Sequence, residues 1–189
     1  MLVRYTDLVH HYNAAANLTG LRTRPEILSS LVKESLALWP FLGGLKPGKV
    51  ADIGSGAGVP GIPLAIAIPG TRFTLYERSE KKASFLRIAL AALQLENAAA
   101  MAADPFAAPP DTRFHAAVTR SALPPEELIP AAREILVPGG SLLGFASEPM
   151  LEALREHSGR LGCGLSLAQY ARPGEAGSFV YALKYGGPG

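Results

Sequence analysis

The residues best suited to chemistry lie in one run, Asp52-Ile53-Gly54-Ser55-Gly56-Ala57-Gly58-Val59-Pro60-Gly61. A short apolar segment, Lys49 to Ile53, leads into it, and a second, Ile62 to Ile68, leads out. That is the pattern of a strand, a glycine turn and a helix. Glycines let the backbone bend tightly, and they let a ligand approach the helix N-terminus with no side chain in the way. Read from Gly56, the run matches G-x-G-x-x-G, which alone is weak support for a dinucleotide.

Asp52 decides between ligands. It sits at the carboxyl end of the first strand, two residues before Gly54. A carboxylate there repels a pyrophosphate and suits a ligand with positive charge and no phosphate. S-adenosylmethionine, with its sulfonium and α-ammonium groups, fits that description. The competing reading is a carboxylate that caps the amides of the glycine turn. Glu77 lies 23 residues after Gly54 and ends the second strand. An acidic residue at about this spacing accepts hydrogen bonds from ribose hydroxyls, in NAD sites and S-adenosylmethionine sites alike. Its bland alternative is a strand-end charge paired with Arg78. Arg120 ends a later strand and is the candidate for contact with a substrate base or phosphate; a structural ion pair to Asp104 or Glu126 is the alternative. Arg22, Arg24, Arg78, Lys81 and Lys82 are candidate phosphate contacts, and the lysine pair equally reads as a solvated helix face.

The elements that must position these residues follow from periodicity. Residues 5 to 16 read as a helix with Leu8, Tyr12, Ala15 and Ala16 on its apolar face. Arg24-Pro25-Glu26 starts a second helix, which Pro40 and Gly43-Gly44 end. Strands are expected at 49 to 53, 72 to 77, 98 to 103, 114 to 119 and 141 to 146. A helix from Ser79, its N-cap, to Leu95 buries Phe85, Leu86, Ile88, Ala89 and Leu93. Further helices run from Pro125 to Leu136, stopped by Pro138-Gly139-Gly140, and from Pro149 to Leu161. Two last strands, 165 to 170 and 178 to 185, are joined by too few residues for a crossover helix and should be antiparallel. Residues 104 to 113, rich in Pro and Ala, read as a surface loop at the strand ends. The prediction is one α/β domain over 1–189: a helical lead-in at 1–45 and, at 46–189, a doubly wound, mostly parallel Rossmann-like sheet with an antiparallel strand pair at its end. That ending, with no room for a substrate domain, favours a methyltransferase over a nicotinamide enzyme.

Composition narrows the classes further. The 189 residues are 48% hydrophobic, as in an ordinary folded domain, and 18 basic against 16 acidic residues leave a net charge of +2. Any nucleic-acid contact therefore needs a local basic patch. One cysteine, Cys163, excludes an internal disulfide and a multi-cysteine zinc site; it reads as a packing residue. His10 and His11 are neighbours rather than an i, i+4 pair, so no metal is expected. No apolar leader opens the chain, and Val59 to Ile68 is too short and Pro-interrupted to span a bilayer. A soluble, cytoplasmic protein is the expectation.

The stretch Asp52 to Ala65, with its Pro60-Gly61-Ile62-Pro63-Leu64 continuation, resembles the RsmG (glucose-inhibited division protein B) family. Tyr12-Asn13 with Asn17-Leu18-Thr19, Lys81-Lys82 with Phe85-Leu86, and Phe114 through Thr119-Arg120-Ser121-Ala122 agree, so the resemblance covers about residues 5 to 185. Where the family usually carries polar residues, this chain has Leu31, Ala146 and Gly177-Ser178. The resemblance implies an S-adenosylmethionine-dependent methyltransferase acting on N7 of a guanine in 16S ribosomal RNA, free or in the small ribosomal subunit. It also implies that Gly54, Ser55, Gly56, Gly58 and Val59 line the methionine and ribose part of the cofactor. Glu77 would hold the ribose, Asp104 would meet the adenine, and Arg120 would face cofactor and base as a positioning residue. No general base is expected, because N7 offers a lone pair and carries no proton. Two alternatives stand beside it: a methyltransferase of this fold with a small-molecule or protein substrate, and a non-catalytic nucleotide-binding module.

Overall fold

The computed structural model describes residues 1–46, 48–107, 113–120, 122–170 and 178–186. The lead-in consists of helices α1 (Leu2–Ala16), α2 (Arg24–Ile27), α3 (Glu34–Leu36) and α4 (Trp39–Leu45), with a π-helical turn, Leu28–Lys33, between α2 and α3. Its entry is set by a capping box. The Thr23 hydroxyl accepts from the Glu26 amide, and the Glu26 carboxylate accepts from the Thr23 amide at 2.9 Å. Two expectations need correction here. On α1, Ala16 is buried and Leu8 and Tyr12 pack half-buried against the core as expected, but Ala15 is exposed and the deepest positions are Tyr5, Val9 and Asn13. Pro40 and Gly43-Gly44 do not end a helix; they lie inside α4. Pro40 is tolerated because a first-turn residue needs no amide donor, and Lys46, in the left-handed conformation, is the actual C-cap.

The sheet is built from β1 (Lys49–Ile53), β2 (Arg72–Tyr76), β3 (Ala98–Met101), β4 (Phe114–Thr119), β5 (Leu136–Ser147), β6 (Gly164–Gln169) and β7 (Ser178–Lys184). Their spatial order is β3-β2-β1-β4-β5-β7-β6. The first five are parallel in that order; β7 inserts between β5 and β6 and runs antiparallel to both. The doubly wound sheet with an antiparallel end is thus the observed fold. Connecting helices are α5 (Gly61–Ala67), α6 (Glu80–Leu93), α7 (Pro125–Ile135) and α8 (Met150–Arg160).

Two apolar cores flank the sheet. One joins the lead-in, α5 and α6 through Tyr5, Ile27, Leu38, Ile62 and Phe85. The other joins α7 and α8 through Ile129, Leu142 and Leu154. On α6, Ser79 caps as expected, but Ile88 is 42% exposed and Leu90 takes the buried place. Pro138-Gly139-Gly140 likewise stops nothing. The α7 helix ends at Ile135, Leu136 already has extended dihedrals, and the three residues form a register shift within β5, with Gly139 at φ 78°. Residues 172 to 177, and 108 to 112 of the expected loop at 104 to 113, lie outside the described residues; Pro105–Ala107 form a 3-10 turn. Among the described residues no helix is long and apolar enough to cross a membrane.

Candidate functional site

The strand order reverses between β1 and β4, and the loops leaving β1, β2 and β4 meet at their carboxyl ends. That crevice is where open α/β sheets bind ligands. The β1 loop is strapped down by its own backbone: the Ser55 amide donates to the Tyr76 carbonyl at 2.9 Å, and the Gly58 and Val59 amides donate to the Ser55 carbonyl. Gly54, Gly56 and Gly58 all have positive φ, which explains their spacing. They differ in what they face. A side chain at Gly58 would strike Ile62 at 2.5 Å, so Gly58 is a packing glycine turned to the core. At Gly56 a side chain would meet only the Gly54 carbonyl oxygen, at an ordinary contact distance of 3.9 Å, so no packing demands glycine there.

Two cavities flank this loop and share Gly54. One, of about 300 Å³, is lined by Ser55, Gly56, Ala57, Val59 and Arg120 on the sheet side and by Leu18–Leu21, Ser30 and Leu31 of the lead-in. The other, of about 230 Å³, is lined by Tyr76, Glu77, Ala103, Pro105, Phe106, Ala122 and Leu123. Glu77 is fixed between them: one carboxylate oxygen accepts from the Gly56 amide at 2.9 Å and the other from the Ser79 amide at 2.8 Å. Arg78, its partner in the alternative reading, pairs instead with Asp104 at 2.6 Å.

Arg120 lies just past β4 and lines the larger cavity. Its ion pair is with neither Asp104 nor Glu126 but with Glu34 of α3, at 3.2 Å, and both side chains are largely buried. The Tyr5 hydroxyl of α1 donates to the Ala57 carbonyl at 2.7 Å, tying the lead-in to the glycine loop. Asn13 clamps the wall at Leu18–Leu21, donating to the Leu21 carbonyl and accepting from the Thr19 amide, both at 2.9 Å. No local sequence signal marks Tyr5 or Glu34 as part of the site, since their partners lie 52 and 86 residues away. Asn13 acts on the nearby wall at Thr19 and Leu21, and Phe106 lines the smaller cavity directly.

Asp52 is placed differently from the expectation of a cofactor contact. It is fully buried and lines neither cavity. One carboxylate oxygen accepts from the Gly61 amide at 3.0 Å; the other has no partner among the described residues. Burial is the main cause pushing its carboxyl up to about 7, with the nearby Glu77 charge in the same sense, against the Ser55 hydroxyl and the Gly61 amide. Gly61 is glycine because Asp52 fills the space a side chain would need, at 2.5 Å. Asp104 is also off the cavity walls, held by Arg78 and by the Phe106 amide, so apolar Phe106 takes its place there.

These features fit an adenosyl ligand with a short charged tail. The smaller cavity offers apolar walls and a fixed carboxylate, and the larger lies across Gly54 beside Gly56. Volumes of this order belong to small-molecule sites. Among the described residues no cluster of metal-ligating side chains occurs.

Comparison with known proteins places this arrangement. The profile of the family described as GidB, rRNA small subunit methyltransferase G, matches residues 1–162. A ribosomal RNA small subunit methyltransferase G of Stenotrophomonas maltophilia is 38% identical over 76% of this chain and 66% of its own length. One from Nitrosospira multiformis is 45% identical over 51% of this chain and 43% of its own. The match thus spans from under half to about two thirds of these relatives. An O-methyltransferase of Bacillus cereus, solved in complex with SAH, superposes with a TM-score of 0.65 at 16% identity, over 96% of this chain and 90% of that one. A tRNA (m1A58) methyltransferase of Aquifex aeolicus gives 0.62 at 17%, over 80% and 68%. Those two share the fold. The sequence match over most of its length shows that this chain belongs to the GidB family, rRNA small subunit methyltransferase G.

Proposed function

We propose that this protein is an S-adenosylmethionine-dependent methyltransferase acting on N7 of a guanine in 16S ribosomal RNA, free or within the small ribosomal subunit, in the cytoplasm. The observation that carries the reading is the pair of cavities meeting at Gly54, one beside the fixed Glu77 carboxylate and one beside Arg120. Family membership and the shared name of the relatives support ribosomal RNA as the substrate class.

In this reading Glu77 accepts from the ribose hydroxyls, and Gly54, Ser55, Gly56 and Val59 line the donor's methionine end. Tyr76 and Phe106 enclose the adenine. Asp52 acts one layer behind, holding the start of α5 through Gly61. The donor supplies a methyl group made electrophilic by a sulfonium. Transfer to N7 would need no general base, because that nitrogen offers a lone pair and carries no proton. The residues here therefore need only hold two partners in line at near-attack distance, which can lower a barrier by several kcal/mol, roughly 7–11 at best. Walls contributed by the lead-in and the sheet do that.

Two measurements test the reading. Calorimetric titration should show saturable binding of S-adenosylmethionine and none of NAD; the reverse would sink it. Deleting the gene should remove one N7-methylguanine from 16S rRNA, and persistence of every such modification would refute the substrate assignment.

A further inference from the structure

The guanine-N7 reading raises a question of selectivity, and the inference here rests on that reading. Adenine also offers N7, so a site that only positions N7 cannot tell the two purines apart. The atom beside N7 can. On that edge guanine presents the O6 acceptor and adenine the N6 amino donor. Whatever side chain meets this neighbouring atom must be a donor to accept guanine, and must be unable to accept if adenine is to be refused.

The polar side chains lining the larger cavity are those of Thr19, Ser30, Ser55 and Arg120. Thr19, Ser30 and Ser55 are hydroxyls, able to donate or accept, so they make no distinction. The Thr19 hydroxyl is moreover engaged by the Leu21 amide, and the Ser55 hydroxyl donates to the Asp52 carbonyl. Arg120 alone among them is donor-only. One guanidinium nitrogen is taken by Glu34 at 3.2 Å; the others have no protein partner among the described residues.

We propose that Arg120, oriented and neutralised by Glu34, donates to O6 of the target guanine and so selects guanine over adenine. Glu34 answers an electrostatic difficulty. The donor carries a sulfonium and the methylated ring becomes cationic, so an unpaired guanidinium in the same cavity would oppose the reaction. The carboxylate cancels that charge while leaving hydrogen-bond donors in place. Glu34 has a side-chain exposure of 8%, so the pair is shielded from solvent screening. Glu34 is a positioning residue; Arg120 is the one that touches substrate.

The test uses small subunits reconstituted with 16S rRNA carrying guanine, hypoxanthine or 2-aminopurine at the methylated position. All three keep N7; 2-aminopurine lacks O6, and hypoxanthine lacks only the N2 amine. The full-length protein should methylate guanine and hypoxanthine alike and 2-aminopurine about 10- to 100-fold less efficiently. Equilibrium binding with S-adenosylhomocysteine present should follow the same order. Arg120→Ala should lose a similar factor on guanine and lose nothing further on 2-aminopurine. Losses that multiply, or hypoxanthine rejected as strongly as 2-aminopurine, overturn the O6 contact. Glu34→Gln keeps a hydrogen-bond acceptor without the charge, and serves if Arg120→Ala fails to fold. It should lower kcat at least fivefold while KM and the preference for guanine are retained; an unchanged kcat overturns the neutralising role. No transfer to guanine by the unaltered protein would instead refute the guanine-N7 reading and this inference with it, whereas equal transfer to guanine and 2-aminopurine refutes the O6 contact alone.

Discussion

A carboxyl group with no exposure at the foot of a ligand loop is costly unless the fold makes use of it. Asp52 is used: it satisfies the Gly61 amide at the start of α5, and its bulk makes Gly61 obligatory. Its folded-state value of about 7 lies above the ordinary 3.8, burial being the first cause. The folded protein therefore keeps a proton that the unfolded chain releases at lower pH. The resulting stabilisation is fully present below 3.8 and is lost as pH rises through about 7. Urea unfolding of the wild type and of Asp52→Asn between pH 5 and 8 should show the wild type losing stability relative to the variant up to about pH 7, with a constant difference beyond. Parallel curves across the whole range would mean that Asp52 is ionised in the fold. The sequence showed that a carboxylate belonged before the glycines. It could not show whether that carboxylate faced the ligand or the turn, because the decision rests on how closely α5 packs on β1.

At the scale of elements, local signals decided what was legible. Strand and helix alternation from Lys49 onward follows from apolar periodicity, and the expected strand at 114 to 119 matches β4 residue for residue. The elements that depart from expectation are those where Pro and Gly read as stops. Pro40 sits at a helix start and Pro138-Gly139-Gly140 in a strand irregularity, both places where a missing amide donor or a positive φ is accommodated. The π-helical turn at Leu28–Lys33 and the contacts of Tyr5 and Glu34 have no local signature, since their partners lie 52 and 86 residues away. The Thr23-x-x-Glu26 capping box is legible in the sequence and marks the helix start together with Pro25. Thr23 opens the helical run that delivers Ser30, Leu31 and Glu34 to the site. Thr23→Ala should therefore destabilise the protein by about 1 kcal/mol, read as a lower urea midpoint at unchanged m. A loss below about 0.3 kcal/mol would show that tertiary packing alone holds this helix.

The molecule as a whole packs a helical lead-in onto one face of a sheet through a shared apolar core, and ties the two at the site by Tyr5 to Ala57 and by Glu34 to Arg120. The larger cavity has walls from both, and the smaller is walled by the sheet's loops alone. A ligand that fills both cavities must hold the lead-in and the sheet together, and it binds only where both are folded. Linkage then fixes the size of the effect. S-adenosylhomocysteine at a hundred times its Kd should stabilise the fold by about 2.7 kcal/mol. For a domain of this size that raises the melting temperature by roughly 5–10 °C. Adenosine, which lacks the amino-acid tail, should occupy the sheet-side cavity only and stabilise less at equal saturation when lead-in opening is followed by hydrogen exchange at residues 18 to 21. NAD at the same concentration should leave the melting temperature unchanged. Equal protection of residues 18 to 21 by adenosine and by S-adenosylhomocysteine would show that the donor's charged end lies away from the lead-in, and that the larger cavity belongs to the substrate alone.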